Sequence, residues 1–130
     1  METGREVCDD LDVARTVLVV DDHAAFRAAA RRLLELDGLE VVGEAADGAT
    51  ALRLVEALAP DIVLLDVGLP DLSGFEVADR LAGAPAAVVF ISSRAPGDLG
   101  RRLRASGALG FIAKDELTGE EVLSLWNKAA

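Results

Sequence analysis

The chain has 130 residues, 52% of them apolar, with 23 acidic side chains against 13 basic ones and a formal net charge of −10. That length suits one domain whose core needs no staples, and the single cysteine, Cys8, leaves neither a partner for an internal disulfide nor a Cys/His cluster for zinc. No apolar run reaches the ~18 residues of a membrane span and no signal-peptide pattern opens the chain. The acidic balance argues against gripping a nucleic-acid backbone, which needs Lys and Arg. The expectation is a cytoplasmic protein that binds neither membrane nor nucleic acid directly.

Residues 1–15 mix charges with few large apolar groups and no sustained period, so they read as a flexible N-terminal tail. From Thr16 the chain alternates. TVLVV is a buried-strand run, followed by a helix on which Phe26, Ala29, Ala30, Leu33 and Leu34 share one face and the arginines take the other, stopped at Gly38. LEVVGEA is the second strand, and Asp47 can cap the helix GATALRLVEALA, which ends before Pro60. DIVLLD is the third strand; Ser73 with Glu76 forms a capping box for FEVADRLAG. AAVVFIS is the fourth strand, PGDLGRRLRASG a weaker helix and ALGFIAK the fifth strand, after which Thr118 and Glu121 cap the helix EEVLSLWNKA.

Strands without polar alternation, separated by helices, predict an α/β protein with a doubly wound parallel sheet, (βα)5, covered on both faces. The flavodoxin-like strand order 2-1-3-4-5 places the first and third strands side by side at the switch point where such folds bind ligands. Because parallel strands all end at one edge, four runs would deliver polar groups there: Asp21 and Asp22 after VLVV, Asp66 after DIVLL, Ser92 after VVFI and Lys114 after GFIA.

Three clustered carboxylates repel one another unless they share protons or bind a cation, and oxygen ligands suit a hard ion such as Mg²⁺. Asp66 could then attack the phosphorus of a donor, with Lys114 and Ser92 receiving phosphate oxygens. Taken singly, each residue has an ordinary reading. Asp21-Asp22 can be turn or capping residues, Asp66 a turn former before Gly68 and Pro70, Ser92 a helix cap, and Lys114 a snorkelling side chain. Lys114 is more telling, since eleven of the thirteen cations are arginine yet the one ending a buried strand is the compact point charge. Together the four strand ends select one edge, one metal site and one cation, which independent capping would not.

The segments VLVVDDH, DIVLLDVGLPDLSGFE, VVFISS and GALGFIAKD, in this order and spacing, resemble the receiver domain of bacterial two-component response regulators over about residues 16 to 128. The resemblance implies that Asp66 is the phosphoacceptor of a sensor histidine kinase, and that Asp21, Asp22, Asp66 and the Gly68 backbone carbonyl surround Mg²⁺. It also implies that Ser92 and Phe111 form the switch, that Lys114 binds the phosphate, and that helix 4, strand 5 and helix 5 make the partner or homodimer surface. The DDH triplet, GEAADG and Lys114-Asp115 are most similar to the subfamily that usually carries a C-terminal helix-turn-helix. At 130 residues only the receiver has room, so its output is a partner or an effector outside this sequence.

Ser93 stands where the family usually has alanine, Arg94 follows it, and Phe111 replaces the common tyrosine, which bears on dephosphorylation and on switch coupling. His23 reads as the start of the first helix and Trp126 as core or partner-facing surface. The alternative is a haloacid-dehalogenase-like Mg²⁺-dependent phosphohydrolase, which also uses a strand-end aspartate. That class places a second aspartate two residues after its nucleophile, whereas Asp66 is followed by Val67 and Gly68.

Overall fold

In the computed structural model, which describes residues 15–93 and 100–129, five strands alternate with five helices. The strands are β1 (Thr16–Val20), β2 (Glu40–Ala45), β3 (Ile62–Asp66), β4 (Ala87–Ser92) and β5 (Gly110–Ala113). The helices are α1 (Ala24–Leu36), α2 (Gly48–Leu58), α3 (Gly74–Arg80), α4 (Gly100–Ala105) and α5 (Gly119–Ala129). A 3-10 turn at Lys114–Glu116, which the sequence pattern did not reveal, links β5 to α5. The expectations for the tail up to Ala14, with Cys8, and for Arg94, Pro96 and Gly97 fall outside the described residues.

All strand pairings are parallel and the order is β2-β1-β3-β4-β5, the predicted flavodoxin-like winding. The apolar runs resolve into two alternating sets, as a pleated strand buried on both faces requires. Val17, Val19, Ile62, Leu64, Val89 and Ile91 pack with Ala30 and Leu34 of α1 and Val122 of α5. Leu18, Val20, Val63, Leu65 and Phe90 pack with Ala51 and Val55 of α2 and with Phe75 and Val77 of α3. Trp126 joins the first set, partly buried, with the Arg15 guanidinium 5.3 Å from its ring centroid.

The N-cap bonds form where expected. The Asp47 carboxylate accepts from Thr50 N (2.7 Å), Ser73 Oγ from Glu76 N (3.1 Å) and Thr118 Oγ1 from Glu121 N (3.0 Å). Each such cap contributes about 1 kcal/mol. The Glu76 carboxylate pairs with Arg80 one turn on (3.1 Å). At the opposite edge of the sheet from the strand ends, Thr16 N donates to Asp61 Oδ2 (3.0 Å) and Asp61 N to Thr16 Oγ1 (2.9 Å), which fastens β1 beside β3.

Helix α1 departs from the expected division of faces. Its fully buried residues are Ala30 and Leu34, while Leu33 is 38% exposed. Arg27 and Arg31 do not simply face solvent: both reach β2, donating from Nε to opposite oxygens of Glu44 (3.2 and 3.0 Å). Residues four apart stack on one helix face, so the same spacing that builds an apolar stripe here builds a paired-guanidinium grip.

Candidate functional site

The carboxyl ends of β1, β3, β4 and β5 meet as the winding demands. Asp21 follows the last residue of β1 and is anchored by its N–H to Ala45 O of β2 (3.0 Å). Asp66 is the last residue of β3, Ser92 the last of β4, and Lys114 follows β5 directly. Asp21 is wholly buried, Asp66 and Ser92 nearly so, and Asp22 stands exposed at the rim. A cavity of about 360 Å³ opens over them, lined by His23, Asp66, Val67, Gly68, Ser92, Ser93 and Lys114.

Lys114 bridges the two buried acids. Its Nζ forms a close ion pair with Asp21 Oδ2 and lies 3.3 Å from Asp66 Oδ2. The ammonium also sits 4.8 Å from the centroid of the Phe26 ring on α1, a cation–π contact that pins the side chain from the far side. Burial acts most strongly on Lys114 and pulls its pKa down, but the hydrogen bond to Asp21 and the charges of Asp66 and Asp21 outweigh it, so the value stands above the usual 10.5. Burial likewise dominates at Asp66 and raises its pKa above the usual 3.8, helped by the charge of Asp21. The Gly68 N–H (3.2 Å to Oδ1) and Lys114 oppose the rise without cancelling it.

Asp21, Asp22, His23 and Asp66 each present one ligand atom, all within 4.8 Å of one another. His23 does begin α1 as its N-cap residue, yet its Nδ1 also lies 3.1 Å from Asp21 Oδ1 and 3.0 Å from Asp22 Oδ1, which brings it to the pocket rim. An oxygen-rich set of this span fits a small hard divalent cation, and the excess of carboxylates over cations supplies the reason to bind one.

Phe111 sits in β5 opposite Phe90 of β4, half-buried against the layer that also holds Leu103 of α4. It is therefore on the α4 side of the sheet, one strand from Ser92, which pairs with Ala113. Arg102 of α4 lies with its guanidinium 4.2 Å from the Phe75 ring centroid, and Phe75 in turn packs on Phe90 at 4.9 Å.

Several contributors were not visible as such in the sequence. Phe26 reads as core, and only the fold sets it beside Lys114. The Asp71 carboxylate accepts from Gly48 N (2.8 Å) and Ala49 N (3.0 Å), tying the loop after β3 to the first turn of α2; these bonds hold its pKa below 3.8. Gly74 reads as part of a capping box. Its N–H donates to Val67 O (2.7 Å), and a Cβ there would overlap the Asp66 carbonyl oxygen and lie 2.9 Å from Val67 Cα. The available signal was a glycine at the first position of a helix, where an ordinary helix former costs nothing.

A doubly wound sheet whose strand ends gather carboxylates and a bridging lysine into one pocket at the switch point defines a flavodoxin-like α/β protein. The family model described as the response regulator receiver domain matches residues 17–124, and the chain belongs to that family. It is 41% identical over 102 residues to the virulence transcription regulator BvgA of Bordetella pertussis, covering 77% of this chain and 49% of that one. It is 40% identical over 109 residues to the transcriptional regulatory protein NarL of Mycobacterium tuberculosis, covering 82% and 50%. Among solved structures, the NarL signal receiver domain of M. tuberculosis aligns with a TM-score of 0.80 and 37% identity over 89% of this chain and 96% of that one. The chain thus spans about half the length of the curated relatives it matches, and these are regulators of the type that its DDH and GEAADG motifs resemble. The hydrolase alternative finds no support beside this family assignment. Among the described residues, no helix is long and apolar enough to cross a membrane.

Proposed function

We propose that this receiver domain takes a phosphoryl group onto Asp66 from the phosphohistidine of a sensor histidine kinase in the cytoplasm, and that the modification alters the surface formed by α4, β5 and α5. The observation that carries this reading is the convergence of Lys114 on Asp21 and Asp66 beneath one open cavity. In the transfer, an Asp66 oxygen attacks phosphorus, the P–N bond to the imidazole breaks, and the leaving nitrogen takes up a proton. Asp66 lines the cavity and one of its oxygens is held by the Gly68 N–H, so the nucleophile is oriented before the donor arrives.

Asp21, Asp22, Asp66 and the Gly68 carbonyl are the groups that would hold Mg²⁺. Bound there, the ion would neutralise the excess negative charge of the acceptor site and take one phosphate oxygen. Lys114, already beside Asp66, would take a second, and the Ser92 hydroxyl a third. The phosphoryl group adds nearly two negative charges where burial already disfavours one, so these donors must close on it. Drawing Ser92 toward the phosphate leaves space on the α4 side that Phe111, one strand away, can enter. That movement changes the α4-β5-α5 face, which we propose as the contact surface for a partner or a second copy, without direct nucleic-acid binding by this chain.

Incubation with acetyl phosphate and Mg²⁺ should add one phosphoryl mass, mapped to Asp66, and chelation of the metal should prevent it. By calorimetry, Asp22→Ala should weaken Mg²⁺ binding more than Asp21→Ala, by about tenfold or more, since truncating a direct ligand removes a full charge contact. Equal affinity of both variants and the parent would refute the acidic-pocket assignment. Phe111→Ala should accept the phosphoryl group at close to the parental rate but lose most of the beryllofluoride-induced change in hydrogen exchange over residues 100–112. A normal exchange response would reduce Phe111 to core packing.

A further inference from the structure

The first acid of the pocket is held by more than its strand. The Arg27 Nη1 donates to the Asp21 carbonyl oxygen at 2.6 Å. Its Nε donates to Glu44 Oε1 (3.2 Å) on β2, and the neighbouring Asp21 N–H donates to Ala45 O (3.0 Å) on the same strand. Arg31 completes the grip on Glu44 through Oε2 (3.0 Å) and reaches Val41 O (3.1 Å). Arg27 is only 18% exposed on its side chain, so its guanidinium is committed to these partners rather than to solvent.

We infer that Arg27, oriented by Glu44, is a positioning residue for the divalent-cation pocket: the two fix the peptide between Asp21 and Asp22 so that both carboxylates turn toward Asp66. This inference rests on the proposed Mg²⁺ role of those acids. The physical reason is the turn itself. Directly after β1 the chain leaves the ladder, and Asp21, Asp22 and His23 crowd three potential ligands into three residues before α1 begins. A peptide at such a turn, carrying mutually repelling side chains, would relax by rotating one acid away from the other. The charge-assisted bond to its carbonyl prevents that rotation, and the planar fork lets one guanidinium hold the carbonyl and Glu44 at once. Glu44 also balances the charge of Arg27, which would otherwise stand uncompensated beside a site meant for a cation. Arrangements of this kind behave like the outer partners of metal ligands, whose loss costs about 10- to 100-fold in affinity.

The test uses the full chain and Mg²⁺ itself, titrated calorimetrically, with thermal unfolding followed in parallel. Arg27→Met, which keeps the apolar stem, should lower Mg²⁺ affinity by about tenfold. Glu44→Gln should lower it by about threefold, because it removes the balancing charge but leaves an acceptor for Nε, and it serves if the methionine variant does not fold. Thr16→Val, which cuts the staple to Asp61 at the opposite edge, should lower the unfolding temperature without moving Mg²⁺ affinity. Parental affinity in folded Arg27→Met, or in Glu44→Gln where the former does not fold, would overturn the inference. An equal loss in Thr16→Val would do the same, since it would make Arg27 a matter of general stability. Asp22→Ala in the same assay separates the levels: if it too binds as the parent does, the metal reading itself fails.

Discussion

Asp66→Asn should take no phosphoryl group from acetyl phosphate in the presence of Mg²⁺, and in metal-free buffer near neutral pH it should unfold at a higher temperature than the parent. The first outcome follows from the loss of the carboxylate that both Lys114 and the Gly68 N–H address; an amide oxygen is too weak a nucleophile to replace it. The second follows from linkage. Burial raises the Asp66 pKa above 3.8, so the native state holds its proton more tightly than the unfolded chain does. The stability this contributes is fully present below pH 3.8 and is lost as pH rises through the raised native value. At neutral pH the parent therefore carries a buried charge that asparagine removes. The gap between variant and parent should widen from pH 4 upward and close in acid. Lys114 runs in the other window, since its raised pKa contributes stability that is fully present below pH 10.5 and is lost as pH rises through its native value. Equal phosphorylation of the asparagine variant by mass spectrometry would remove Asp66 from the mechanism. A lower melting temperature at neutral pH would show that its pairing with Lys114 outweighs its desolvation.

Gly74→Ala should cost about 3 kcal/mol, the upper end of what overpacking does in a core. Against a total stability on the order of 5–15 kcal/mol for a domain, that is a large share. The added methyl would overlap the Asp66 carbonyl oxygen and press on Val67 Cα, and backbone atoms cannot swing aside as a side-chain tip can. Relief requires moving the first turn of α3 away from β3, which breaks the Gly74 N–H bond to Val67 O and carries Phe75 off Phe90. Phosphorylation should slow as well, because the peptide that moves is the one bearing Asp66. Gly83→Ala provides the comparison, since nothing lies within 4 Å of a Cβ there. A denaturant midpoint for Gly74→Ala as close to the parent as that of Gly83→Ala would mean that the helix yields without penalty.

β1, β3, β4 and β5 announced themselves by short apolar runs, β2 by Val41-Val42 between polar residues, and α1, α2, α3 and α5 by period or cap. Such signals are local, because a strand buried on both faces needs no polar positions and a cap needs only a neighbour three residues on. Asp21, Asp66, Ser92 and Lys114 were legible for the same reason: parallel strands share an edge, so topology converts sequence-distant strand ends into one pocket. Other features depend on where α1 lies across the sheet, which no period encodes. Leu33 is left partly exposed, Arg27 and Arg31 turn inward to Glu44, and Phe26 meets Lys114, because a helix face has a meaning only relative to what it packs against. Likewise the glycine that opens α3 is required by the Asp66 peptide, a neighbour set by the turn and not by spacing. Local pattern along the chain therefore specified the fold, the family and the groups at the strand ends. Which side chains hold those groups in place was set by packing, since that depends on contacts between elements whose separation in sequence carries no pattern.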